Sequence, residues 1–171
     1  MTVQALFGLS VLMSFLAFGI VARLYILPRV RAMSREDALA ALAAPHMFRF
    51  VGLSFLDPGV APALSPDFAI PAAYGDLGAT ILAVVATLAL HARASWAIPI
   101  ALVFNVWGTL DLLYAFYQGQ IGVRIGPGSL GAAYFIPTVV VPPLLVADVL
   151  APAAATVIVD QPSASPPTPI V

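Results

Sequence analysis

Cysteine and lysine are both missing from this chain. Without cysteine there can be no disulfide, thiolate nucleophile, iron–sulfur cluster or cysteine-ligated zinc. All seven basic residues are arginine, a usage that fits a GC-rich bacterial genome. Charge itself is scarce. Only 9% of the 171 residues are Asp, Glu, Lys or Arg, against about 25% in an ordinary soluble domain. A net charge of -1 leaves no basic footprint for nucleic acid. There is no HExxH, no Gly-rich phosphate loop and no GxSxG. His46 and His91 fall on different segments at unmatched depths, so no metal or haem site is expected, and no cofactor is assigned.

What the chain has in quantity is apolar surface. Hydrophobic residues make up 61% of it, with a mean hydropathy of +1.02. A water-facing surface cannot be built from so few charges, so lipid is the expected solvent. The expected fold is an all-α bundle of five transmembrane helices forming one domain over 1–151, followed by a disordered Pro/Ser-rich tail over 152–171. Four segments are apolar over the ~20 residues that span a bilayer: about 3–27, ending at Pro28, then about 71–91, 97–117 and 131–151. The first lacks basic residues through position 22 and is too long for a signal-peptide core, so it reads as a retained helix.

The second segment, about 37–56, is harder to insert. It opens on Ser34-Arg35-Glu36-Asp37, which resembles a capping box. Yet it carries Pro45, His46 and Arg49, and an Arg near a helix centre costs about 2.5–3.5 kcal/mol on insertion scales. If it turned back instead of crossing, the bundle would have four helices. Phe48 to Leu56 is too apolar to remain in water, and this favours crossing. Arg29, Arg31 and Arg35 follow the first helix and place that loop in the cytoplasm. The N-terminus would then be outside and the C-terminal tail inside a bacterial inner membrane. Asp57-Pro58-Gly59 signals a turn.

Ionisable groups inside a bilayer are expensive, and each is a functional candidate. Arg49 lies roughly 12 Å from the Asp57 end of its segment, Asp76 roughly 8 Å into the third and Asp111 roughly 9 Å from the end of the fourth. At matched depth one Arg and two Asp can neutralise one another through charge-assisted hydrogen bonds. Helical phase puts Phe104, Trp107, Gly108, Asp111, Tyr114 and Gln118 on one stripe. It puts Ala72, Asp76, Ala79, Thr80, Ala83, Thr87 and His91 on another, and groups His46, Arg49 and Gly52. Tyr134, Pro137 and Thr138 come from the fifth segment. The expected site is a pocket open towards the outer face, lined by Arg49, Asp76, Asp111, Trp107, Tyr114 and Tyr134, with His46 close by. Arg49 would anchor a polar head while the two Asp fix the Arg. The plainer alternative is an ion pair that only locks helices together. Asp148 would reach headgroups at the cytoplasmic edge, and Asn105, out of phase with the Asp111 stripe, would make an interhelical hydrogen bond. Pro137, Pro142 and Pro143 would bend the fifth helix around the pocket.

The stretch from Arg49 to about Leu110 resembles the DoxX-like small membrane proteins. It shares an Arg opening a helix, the exit Phe55-Leu56-Asp57-Pro58-Gly59, and an acidic residue starting the next helix in Tyr74-Gly75-Asp76-Leu77-Gly78. That resemblance implies a four-helix bundle, here with one helix added, and partnership in redox and quinone-linked membrane complexes. Phrases such as His46-Met47-Phe48-Arg49, Trp107-Gly108-Thr109-Leu110-Asp111 and Ala132-Ala133-Tyr134-Phe135-Ile136-Pro137-Thr138 look like signatures of an uncharacterised bacterial multi-pass family. A fainter likeness is to the EXPERA isomerase bundle, with acids in an intramembrane pocket. The expected function is non-enzymatic binding of a small amphipathic or lipid-like molecule such as a quinone. A proton- or ion-coupled carrier, an EXPERA-like isomerase and a structural subunit of a membrane complex are the alternatives. Membrane lipids, a lipophilic ligand and a membrane-complex partner are the partners implied.

Overall fold

A computed structural model describes residues 1–156. Its described residues are helical with no strand, and five helices are long and apolar enough to cross a membrane. They are α1 (Val3–Arg31), α2 (Arg35–Leu56), α3 (Pro66–His91), α4 (Ala97–Gly122) and α5 (Ile136–Ala155). Alternation places the 57–65 and 123–135 loops at one end. The 32–34 and 92–96 loops lie at the other, which also holds Arg29, Arg31, Arg35 and Arg93. We call this second end the Arg-rich end.

Helix α3 is the hub. Its buried face is built from Ala72, Ala73, Asp76, Ala79, Ala83 and Ala86, small side chains that let neighbouring backbones approach closely. The stripe drifts around the helix, so His91 ends exposed rather than on the packed face. At the other extreme, α1 buries few residues: Phe7, which meets the Tyr134 ring edge-on at 5.7 Å, and Ala22 and Val30 further along.

The second segment runs the full length as one helix, so it does not turn back. Ser34 caps it, accepting a hydrogen bond from the Asp37 amide at 3.2 Å. The α-helix Arg35–Ala43 then tightens into a 13-residue 3₁₀ helix, Ala44–Leu56. At three residues per turn, positions three apart eclipse, and the buried residues are His46, Arg49, Gly52 and Phe55. The tighter coil also stretches the chain, with about 2.0 Å of rise per residue instead of 1.5 Å. Arg49 therefore sits about 14 Å from Leu56.

Pro28 does not end α1. A π turn at Ala22–Ile26 precedes it, with the Leu27 amide bonding the Ala22 carbonyl, and the helix resumes with Pro28 in its first turn. A proline there loses no hydrogen bond. The same device recurs in α5. A π turn at Ile136–Val140 hands over to Val141–Thr156, whose first turn holds Pro142 and Pro143. The fifth helix starts five residues later than expected, because Pro127–Tyr134 forms a separate 3₁₀ stretch broken at Gly131. Residues 152–156, expected in the tail, continue α5 through Pro152. The rest of that expected tail, 157–171, lies outside the described residues.

At the Arg-rich end, Arg93 bridges two loops. It donates to Ser34 at 2.9 Å, to Glu36 at 2.9 Å and to Asp37 at 2.7 Å. The Asp37 hydrogen bond, with Glu36 beside it, raises the Arg93 pKa above its ordinary value. At the opposite end, Gly59 donates to the Asp57 side chain at 2.8 Å, closing the expected turn. Gly131 pins the two loops of that end together. It has a φ of +53°, and a Cβ there would strike the Val60 carbonyl oxygen, to which Ala132 donates at 2.9 Å. Gly131→Ala is expected to cost about 1–3 kcal/mol and to lower the thermal midpoint of the detergent-solubilised protein, whereas Gly126→Ala, with open space around its Cβ position, should leave it unchanged.

Candidate functional site

The three ionisable residues singled out by depth and phase do meet. The Arg49 side chain is 1% exposed. Its Nε donates to Asp76 Oδ1 at 2.8 Å, one Nη donates to the Gly108 carbonyl at 3.0 Å, and the other donates to Asp111 Oδ2. The guanidinium of α2 thus ties α3 and α4 through three charge-assisted hydrogen bonds. The depths agree because two expectations shifted together. Helix α3 starts at Pro66, which puts Asp76 about 15 Å in. Helix α4 runs on to Gly122, which puts Asp111 about 16 Å from that end. Both match Arg49 within a turn.

Glycines make this geometry fit. A Cβ at Gly52 would collide with the Asp76 carboxylate, and one at Gly75 with the Asp111 carboxylate. A Cβ at Gly108 would come within 3.1 Å of an Arg49 Nη. Each of the three helices therefore leaves out one side chain where a neighbour's charged group must pass. Gly52 and Gly108 already shared a face with charged residues in the sequence. Gly75, one residue before Asp76, carried no signal of its own.

The surroundings of the cluster differ from the expected lining. Trp107 is 51% exposed and Tyr114 50% exposed, both facing outward. They share helical phase with Asp111, but the buried face of α4 is the neighbouring one, Ala101–Phe104–Gly108–Leu112. Asp111 stands on the flank and turns inward through the gap at Gly75. Trp107 packs along Gly78 instead, and Tyr114 accepts a hydrogen bond from Gln118 at 2.8 Å. Tyr134 belongs to the α1 contact, where its hydroxyl donates to Ser10 at 3.2 Å. Arg49 is enclosed behind its two acids and does not line the pocket. His46 shares the buried face of Arg49 but pairs with Asp148. Asp148 is 3% exposed rather than at the headgroups, and Asn105 makes the expected interhelical hydrogen bond to it at 3.2 Å.

The pocket is a narrow crevice with about 60 Å³ of room inside it. Phe7, Phe55, Phe68, Phe116, Leu130 and Ile136 are among its walls, and Asp76 and Asp111 are its polar groups towards the bundle interior. Gly119, Ile125 and Pro127 extend its lining towards the end opposite the Arg-rich one. No group of three or more His, Asp or Glu side chains among the described residues could hold a metal ion.

Fold and site together define a helical bundle of membrane-spanning character, built around a buried arginine–carboxylate cluster at the foot of an aromatic crevice. The chain belongs to the family described as domain of unknown function DUF8737, whose family model matches residues 6–154. No curated protein and no solved structure matches it.

The glycine gaps give a direct check. Gly75→Ala is expected to destabilise the protein by about 1–3 kcal/mol through overpacking. Gly78→Ala, one turn on, where the added Cβ meets Trp107 at an ordinary 3.4 Å, should be neutral or stabilising by up to about 1 kcal/mol. Reversible unfolding in mixed micelles measures both, and equal effects would contradict the close approach at Gly75.

Proposed function

We propose that this chain is a non-enzymatic membrane protein that binds a slim amphipathic molecule in the crevice above Asp76 and Asp111. One observation carries the reading: a crevice walled by aromatic and aliphatic side chains reaches two carboxylates whose compensating cation lies behind them. Binding sites of this kind join mostly apolar walls to a few placed polar groups. Because the exposed groups are carboxylates, the ligand's polar end donates hydrogen bonds. A hydroxyl, the phenolic edge of a quinol or an amine fits, whereas a carboxylate or phosphate does not. Arg49 acts through the acids, holding them apart and aimed, rather than gripping the ligand head.

The membrane is proposed to be a bacterial inner membrane. The four arginines of the Arg-rich end against Arg124 alone at the other put the Arg-rich end in the cytoplasm by the positive-inside rule. The crevice then extends towards the outer leaflet, and the N-terminus lies outside.

Native mass spectrometry of the full chain extracted in mild detergent tests the reading. A small amphiphile should remain bound to the wild-type protein. Ala115→Phe, which fills the half-buried wall of the crevice, should lose it, and Trp107→Ala on the outward face should keep it. A wild-type protein with no bound molecule, or equal retention by both variants, would overturn the assignment.

A further inference from the structure

Below the crevice, nearer the Arg-rich end, the bundle buries a second polar pair that the ligand site does not use. His46 is fully buried, and its Nε2 lies 3.5 Å from Asp148 Oδ1, with both side chains 1% exposed. Neither His46 nitrogen has a hydrogen-bond partner, and nor does Asp148 Oδ2, although the Thr109 hydroxyl is alongside. Asn105 Nδ2 donates to both the Oδ1 and the backbone carbonyl of Asp148 at 3.2 Å, fixing the carboxylate. The Phe104 ring stands edge-on to the imidazole at 5.0 Å. A narrow gap of about 10 Å³ reaches Asp148, lined by Leu39, Leu42, Ala101, Asn105 and Ala151. Those residues lie towards the Arg-rich ends of α2, α4 and α5.

We propose that His46 and Asp148 form a buried proton-binding site served from the Arg-rich end, separate from the crevice that reaches Asp76 and Asp111 from the opposite end.

Two physical arguments support this. The first is satisfaction. Unpaired polar groups away from water cost several kcal/mol each in a bilayer-like interior. In its Nε2–H tautomer the neutral imidazole can already donate to Asp148 Oδ1, and a further proton held by the pair also cancels the charge of the carboxylate. The proton belongs to the pair rather than to either residue. The second is charge. Arg49 from the same helix as His46 acts on both members of the pair and is itself bound by Asp76 of α3 and Asp111 of α4. One guanidinium therefore stands among three carboxylates, an excess of two negative charges. Uncompensated charge at that depth is costly. A proton held by His46 and Asp148 removes part of that excess. Arg49, one 3₁₀ turn or about 6 Å along the helix from His46, opposes a second positive charge on the imidazole. The pair therefore exchanges between a neutral state and a state with one proton fewer.

The test is ¹⁵N-histidine NMR of the full chain in nanodiscs, titrated from about pH 4 to about pH 9, the span of ordinary carboxyl and imidazole ionisation. The chain has two histidines, and His91→Gln assigns the signals. The His46 nitrogens should show one step, and the step should vanish in Asp148→Asn. It should be independent of sodium and potassium concentration. Asn105→Ala, which removes a donor to Asp148 and keeps both members of the pair, should move its midpoint by about half a pH unit or more. That variant decides the matter if Asp148→Asn does not fold. A flat His46 signal, a step that survives Asp148→Asn, a midpoint unmoved by Asn105→Ala, or a step that shifts with sodium or potassium as a cation site would, each overturns the proposal.

Discussion

The arrangement depends on one constraint: a guanidinium buried in an apolar bundle must have its charge met and its N–H groups bonded. Arg49 meets it by drawing a carboxylate from each of two neighbouring helices and a backbone carbonyl from one of them. Breaking such a buried pair by removing one partner typically costs 3–5 kcal/mol. In lipid there is no hydrophobic drive for helices to associate, so packing of small residues and interhelical hydrogen bonds must do that work. The alanine face of α3 supplies the first and Arg49 the second.

The local irregularities serve this constraint. In an α-helix three residues advance only 300°, so His46 and Phe55 would end about half a turn apart. The 3₁₀ helix keeps His46, Arg49, Gly52 and Phe55 in register. One face of α2 can therefore carry both the cluster above and the histidine pair below. Gly52, Gly75 and Gly108 then remove the side chains that would hold the three helices too far apart. The π turns before Pro28 and before Pro142 let α1 and α5 carry prolines without exposing unpaired backbone.

Much of this was legible in the sequence. Hydropathy gave five segments. The rarity of charge in them made Arg49, Asp76 and Asp111 conspicuous, and counting residues put them at similar depth. Turn and cap chemistry at Asp57 and Ser34 read correctly. Helical phase alone misplaced Trp107 and Tyr114, because a stripe containing an inward-reaching Asp need not be the buried stripe. Asp148 was misread because it lay three residues from the expected end at 151, whereas the helix runs on to Ala155 and its partner on another helix was unknown. The 3₁₀ coil had one cue, the strict three-residue spacing of His46, Arg49, Gly52 and Phe55. Gly75 had none, since a glycine's use depends on what approaches it from elsewhere in the chain.

The most direct measurement of the central claim is a double-mutant cycle between Arg49→Met and Asp111→Leu, read by reversible unfolding in mixed micelles. The account predicts strong non-additivity, with a coupling energy of about 2–3 kcal/mol and a double variant more stable than the Arg49→Met single. Additive losses, with the double variant the least stable of the set, would show that the guanidinium and the carboxylate do not meet inside the bundle.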